Sequence, residues 1–190
     1  MKAFAKTALV AALSLSALGA MAGEIANSSV NANGASNTSA GLGTSALQNI
    51  GVAEGNGKIR NSSVNVDGAR NTSAGLGTSA TQSLGTATGN GRIENSSVRV
   101  KNASNTSAGL GTNATQKVGF ASGNGTVQNS SINANNVSNK SMGLGTSASQ
   151  SIGGAEGNGV LRNSSVNVNG ASNTSAGLGT SASQRIGVAR

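Results

Sequence analysis

Asn37-Thr38-Ser39-Ala40-Gly41-Leu42-Gly43-Thr44-Ser45-Ala46, or NTSAGLGTSA, returns unchanged at Asn71 and at Asn173. Near copies begin at Asn105 (NTSAGLGTNA) and Asn139 (NKSMGLGTSA). The interval is 34 residues each time, and Asn-Ser-Ser keeps the same interval at Asn27, Asn61, Asn95, Asn129 and Asn163. Self-similarity at one fixed period marks a repeat architecture, in which each copy is a unit that stacks on the next. Five rungs are read as 27–60, 61–94, 95–128, 129–162 and a truncated 163–190.

Paired-helix tetratricopeptide units share the 34-residue period, but the residue chemistry rejects helices. The unit 61–94 holds six glycines, lacks aromatic knobs and shows no apolar spacing of three and four. Period two fits instead. From Thr72 the alternate residues are Thr72, Ala74, Leu76, Thr78, Ala80, Gln82 and Leu84, and glycine, serine and variable residues lie between them. That is the alternation of a strand with one buried face, and it points Leu42 and Thr44 inward. Gly-Leu-Gly is a point at which the stretch can break into two strands. Ile59, Ser62, Val64 and Val66 read as a shorter strand whose one shift of parity implies a kink or bulge. Asp67-Gly68 and Thr88-Gly89-Asn90-Gly91 supply the turns, because glycine and asparagine tolerate positive φ.

Composition narrows the architecture. After Ala22 there is no Pro, Cys, His, Trp or Tyr, and Phe120 is the only aromatic residue. Large apolar and aromatic side chains dominate ordinary cores, so a bulky three-dimensional core is excluded. Either the chain is a disordered Gly/Ser/Asn-rich polymer or it packs a thin core along one axis. Comparison of the five copies decides between them. Asn27, Ser28, Ser29, Asn37, Ser39, Gly41, Leu42, Gly43, Thr44, Ala46, Gln48, Gly51 and Ala53 keep their identity in every copy, whereas every charged residue after Ala22 lies in a column that varies. In parallel strands about 4.8 Å apart, identical amides and hydroxyls can hydrogen-bond along a ladder. Identical charges at that separation would repel by roughly 3 kcal/mol at an effective dielectric near 20. The column Ala26, Arg60, Glu94, Gln128, Arg162 places no like charges side by side. Disorder imposes no such rule, so the expected fold is an all-β β-solenoid of five stacked rungs with in-register parallel strands.

The expected ladders are Gln48, Gln82, Gln116, Gln150 and Gln184; Asn27, Asn61, Asn95, Asn129 and Asn163; and Thr44, Thr78, Thr112, Thr146 and Thr180. The expected dry seam is Leu42, Leu76, Leu110, Leu144 and Leu178, with Ile50, Leu84, Val118, Ile152 and Ile186.

Residues 1–22 read as a secretory signal peptide: Lys2 and Lys6, an apolar run too short to span a membrane, and Ala20-Met21-Ala22 before the cut. The chain from Gly23 is then expected to be secreted, without a transmembrane segment. Its formal charge falls from +8 to +6 when Lys2 and Lys6 leave. The remaining basic residues are scattered, which suits a solvated face and requires no nucleic acid. From Gly23 to Arg190 the chain is two residues short of five whole periods, which leaves no room for caps. Uncapped rungs expose edge hydrogen bonds, and both ends then present the same template. Head-to-tail polymerisation is expected.

No enzyme is expected, since the chain after Ala22 lacks His and Cys and holds five acidic residues. No metal or other cofactor is expected either. Gly51–Ile59 has the wrong glycine spacing for a phosphate loop, and Asn65-Val66-Asp67-Gly68 lacks the remaining ligands of a calcium loop. Asn-Ser-Ser and Asn-Thr-Ser are formal glycosylation sequons, read here as ladder residues.

The leader, the Gly/Ser/Asn/Gln-rich tandem repeats, the lack of proline and segments such as ASQSIGGAEGNG from Ala148 together resemble the bacterial functional amyloid subunits of the curli and Fap kind. Gln48, Gly51 and Asn56 follow the curli order, with different spacings and without the second glutamine. The resemblance implies export through an outer-membrane pore, assembly outside the cell into biofilm fibres, and a nucleator subunit. Three other readings stay open on the residues alone: a monomeric β-solenoid adhesin that binds a surface or glycan, an ice-binding threonine array, and a disordered basic matrix protein.

Overall fold

The structure, a computed structural model, describes residues 23–190; the leader expected over 1–22 lies outside the described residues. Strand residues alternate along each 34-residue unit, and each unit closes into one turn of a β-solenoid. In the first turn the strands are β1 (Glu24–Ala26), β2 (Ser29–Asn33), β3 (Ser36–Leu42) and β4 (Ser45–Ile50). Later turns repeat them, and in the last two β2 and β3 have continuous counterparts, Ser131–Leu144 and Ser165–Leu178. Every strand pairs in parallel with the one 34 residues on: Ile25 with Ile59, Val30 with Val64, Asn37 with Asn71 and Gln48 with Gln82. Three parallel sheets therefore run the length of the stack.

The backbone ladder continues through the corners. Asn27 N–H donates to Arg60 O at 3.0 Å, and Gly43 N–H donates to Leu76 O at 2.8 Å. The shift of parity between Ile59 and Ser62 falls on Asn61, whose φ is 48°. Ile59, Ser62, Val64 and Val66 all face inward and are buried.

The core has two halves. Ile59, Val64, Val66, Leu84, Ile93, Val98 and Val100 belong to a continuous aliphatic strip that the later turns extend with Val118, Val127, Ile132 and Ile152. The other half is polar: Asn71, Ser73, Thr78 and Gln82 are buried, as are their counterparts Asn105, Ser107, Thr112 and Gln116.

The leucine half of the expected dry seam does not lie in the core. Leu42 and Leu178 are 75% and 73% exposed, and Leu76, Leu110 and Leu144 are 45–47% exposed. Gly41-Leu42-Gly43 forms a corner that adds one residue between the inward positions, so the parity reverses. Asn71 and Ser73 point inward before it, and Thr78, Ala80, Gln82 and Leu84 after it. Thr72, Ala74 and Leu76 are thereby turned away from the core. The other half of the seam is buried where turns lie on both sides, at Leu84, Val118 and Ile152. Ile50 is half-buried and Ile186 exposed, because each lies in an end turn.

Glycine is required at the first corner position. Gly109 has φ +138°, and a Cβ added there would lie 1.7 Å from Gly75 O. Gly111 has φ +62° and meets only Gly77 Cα, at 4.0 Å. Gly111→Ala should therefore cost about 1–2 kcal/mol, the left-handed penalty alone. Gly109→Ala should cost at least twice as much, since a backbone atom of the preceding turn must move as well. Urea unfolding followed by circular dichroism measures both, and equal losses would contradict the stacking contact.

Candidate functional site: ladders along the stack and the faces of the end turns

The glutamines lie on one line inside the polar half. Gln82 Nε2 donates to Gln48 Oε1, Gln116 Nε2 to Gln82 Oε1 and Gln150 Nε2 to Gln116 Oε1, each at 2.7 Å. Gln184 Nε2 donates to Gln150 Oε1 at 3.1 Å. Gln82, Gln116 and Gln150 are wholly buried. A buried amide normally costs free energy unless both its ends are bonded, and a ladder of this kind bonds both.

A second amide ladder runs along Asn37, Asn71, Asn105, Asn139 and Asn173, not along the Asn27 column. Asn37 Nδ2 donates to Asn71 Oδ1 at 3.1 Å, and the next three steps are 2.8 Å each. The same amides fasten the corner: Asn71 Nδ2 lies 2.9 Å from Thr81 O, and Asn105 Nδ2 lies 2.9 Å from Thr115 O. The first residue of NTSAGLGTSA thus ties β3 to β4 across Gly-Leu-Gly. Asn37 was visible in the sequence as an unvarying residue, but nothing there distinguishes its role from that of Asn27.

Asn27, Asn61, Asn95, Asn129 and Asn163 instead take φ values of 46–50° and expose their side chains. Asparagine suits this left-handed corner because its short polar side chain tolerates the conformation better than most. The Ser28 column beside it is committed to backbone bonds. Ser62 Oγ donates to Arg60 O at 2.6 Å and accepts from Ser28 N–H at 3.2 Å. Together Asn27, Ser28, Ser29 and their counterparts line an open groove along the solenoid.

The threonine column points inward but forms no threonine-to-threonine ladder. Thr112 Oγ1 pairs with Ser141 Oγ at 3.3 Å and Thr146 Oγ1 with Ser175 Oγ at 3.1 Å, across the corner to the next turn. Thr44 and Thr78 Oγ1 have no partner among the described residues. Thr180 is exposed in the last turn. An exposed asparagine ladder that the expected set omitted joins Asn56, Asn90, Asn124 and Asn158, with steps of 2.8, 2.8 and 2.7 Å.

The two main ladders run in opposite senses. Each glutamine donates toward the preceding turn and each asparagine toward the following one. The face of the first turn therefore offers Gln48 Nε2 and Asn37 Oδ1. The face of the last offers Gln184 Oε1 beside Asn173, whose Nδ2 donates to Ala148 O and Ser183 O. The two faces are complementary in position, and the unspent Gln48 donor of one matches the unspent Gln184 acceptor of the other. Charged columns add local pairing: Arg60 bridges Glu24 at 3.6 Å and Glu94 at 3.1 Å, and Lys117 Nζ meets Glu156 Oε2 at 3.1 Å.

Gln116→Met keeps the volume of the side chain and removes two steps of the glutamine ladder. Gln82 Oε1 then has no donor, and Gln150 Nε2 keeps only Val137 O at 3.3 Å. The expected loss is about 2 kcal/mol in chemical unfolding, and an unchanged midpoint would count against the ladder. At the Asn27-type corner the expectation is different. Asn95→Gly should be close to neutral and Asn95→Val should lose about 1–2 kcal/mol, whereas an amide ladder there would make both equally harmful. Comparison with known protein families, curated proteins and solved structures finds no match.

Proposed function

We propose that the chain is a structural subunit that polymerises end to end into a fibre. The observation that carries the reading is the complementarity of the two end faces. A second copy in the same orientation would let its Gln48 donate to Gln184 and would set its Asn37 Oδ1 as a third acceptor beside Asn173 Nδ2, as Asn105 Oδ1 is beside Asn71 Nδ2. Stacking would also cover Leu178 and Ile186, both exposed in the last turn, and the free strand edges beside them. Free edges of parallel sheets recruit further strands unless a cap, charge or bulge blocks them. Both end turns repeat the interior pattern and carry no aromatic or helical cap among the described residues.

The resemblance to curli- and Fap-type subunits supports the same reading and adds its setting: export past the outer membrane, growth from a nucleator, and a fibre in a biofilm matrix or adhesive surface. The competing reading, a monomeric adhesin, rests on the Asn-Ser-Ser groove. One of the three columns that line that groove is already spent on backbone carbonyls, as Ser62, Ser96 and Ser130 show.

The test is growth of the purified chain from Gly23 onward, followed by electron microscopy and light scattering. Fibres that lengthen with time and concentration are expected, and a discrete particle at all concentrations would favour the adhesin. Gln48→Lys with Gln184→Lys leaves the three interior glutamines in place but puts a cation on each end face. The double variant should keep its strand signal and lose elongation by at least tenfold. Growth at the unmodified rate would sink end-to-end stacking through these faces.

A further inference from the structure

We infer that the leucine ridge on the outer corner is a lateral interface between two copies of this chain, and that it joins two stacked fibres side by side. The inference rests on the fibre reading above. Leu42, Leu76, Leu110, Leu144 and Leu178 stand at the tip of the same corner in all five turns and are exposed in each. Gly41 and Gly43 flank Leu42 and bring no side chain to cover it. The corner itself is held by glycine conformation, by backbone bonds such as Gly77 N–H to Leu110 O at 2.7 Å, and by the asparagine amide. A leucine side chain at its tip contributes to none of these, so the fold leaves the residue unexplained.

Three observations identify the occupant as a second copy. The first is spacing. The leucines pair in register from turn to turn, Leu42 with Leu76 and Leu110 with Leu144, which makes a straight row with one apolar group about every 4.8 Å. A partner that matches the row throughout must carry the same repeat, and another turn of this solenoid does.

The second observation is charge. The ten-residue strip 38–47 and its counterparts 72–81, 106–115, 140–149 and 174–183 contain a single charged residue, Lys140. Self-pairing about a two-fold axis parallel to the stack sets each turn against the same turn of its partner, so a strong charge at the ridge would lie beside its own copy. The rest of the described chain is rich enough in basic residues that a neutral strip of this length is a feature of the surface.

The third observation is area. Five partly exposed leucines fall well short of the roughly 800 Å² per partner that a stable complex buries. An isolated pair of molecules would be held weakly. Stacking extends the row without limit, so the contact accumulates along a fibre and lateral pairing follows elongation.

The test replaces all five leucines by serine and compares mass per length by scanning transmission electron microscopy. Unmodified fibres should contain two chains for every five strand spacings, about 24 Å, and the variant should form single filaments with half that mass. One chain per 24 Å in the unmodified fibre, or two in the variant, would overturn the inference. If the unmodified chain forms no fibre, the fibre reading falls and this one falls with it, whereas single filaments that keep elongating overturn the pairing alone. A second variant covers the case in which the fivefold change unfolds the chain. The chain contains no cysteine, so Leu110→Cys places one thiol on the ridge. The equivalent residue of the next molecule along the stack is out of reach, about 24 Å away. A short bis-maleimide should give covalent dimers in Leu110→Cys fibres and none with Asn65→Cys on another outer face. Failure of Leu110→Cys to cross-link, or equal cross-linking at both positions, would rule the ridge out.

Discussion

The repeat distance between in-register parallel strands, about 4.8 Å, is the constraint on which the rest of this solenoid depends. It sorts side chains by chemistry before any question of function arises. A primary amide places its nitrogen and oxygen roughly 2 Å apart, so amides aligned along the axis leave a gap of hydrogen-bond length. The 2.7 Å steps of the glutamine ladder are that gap. A hydroxyl has one oxygen and cannot span the same distance in a uniform rotamer. The threonines accordingly turn across the corner to serine, or stay unpaired. Glycine fills the column in which successive backbones leave no room for Cβ, from Gly75 over Gly41 to Gly177 over Gly143.

The same spacing explains how a chain with one aromatic residue after Ala22 sustains an interior. The aliphatic half contributes hydrophobic burial through Ile59, Val64, Leu84 and their counterparts. The amide half gains only about 1 kcal/mol net for each hydrogen bond, but it leaves no room for a register slip that would orphan a buried donor. Each turn is therefore modestly stable, and its stability depends on the turns on either side. In such a quasi-one-dimensional structure the ends are the weak points. The burial pattern agrees: Gln82, Gln116 and Gln150 are wholly buried, whereas Gln184 is exposed.

Much of this was legible in the residues. The 34-residue period, the parallel register and the sorting of charged residues into varying columns all follow from comparing the copies with one another. The interior half from Thr78 to Leu84 follows from simple alternation. Simple alternation misplaces the leucine column, because the extra corner residue at Gly-Leu-Gly reverses the parity. An exposed leucine also contradicts the ordinary expectation that an unvarying apolar residue is a core residue. Asn27 and Asn37 could not be told apart for a different reason. Both are asparagine in every copy, but one is selected for a left-handed backbone and the other for its side-chain amide, a difference of φ that sequence identity does not record.

The departures from perfect repetition bear on assembly as much as the repeats do. Ladders of identical residues are indifferent to a slip of one whole turn, since every turn presents the same amides. The varying columns are not. Arg60 lies between Glu24 and Glu94, Asp67 is the register partner of Lys101, and Lys117 meets Glu156 while lying 4.6 Å over the buried ring of Phe120. A slip of one turn would separate these pairs, setting Arg60 beside Gln128 and Asp67 beside Asn135, so they favour the observed order of turns within a molecule while the ladders supply adhesion between turns. Exposed ion pairs contribute little to stability, but register needs only a difference between neighbouring alternatives. The invariant columns make any turn able to stack on any other, and the variable ones make a single order the best.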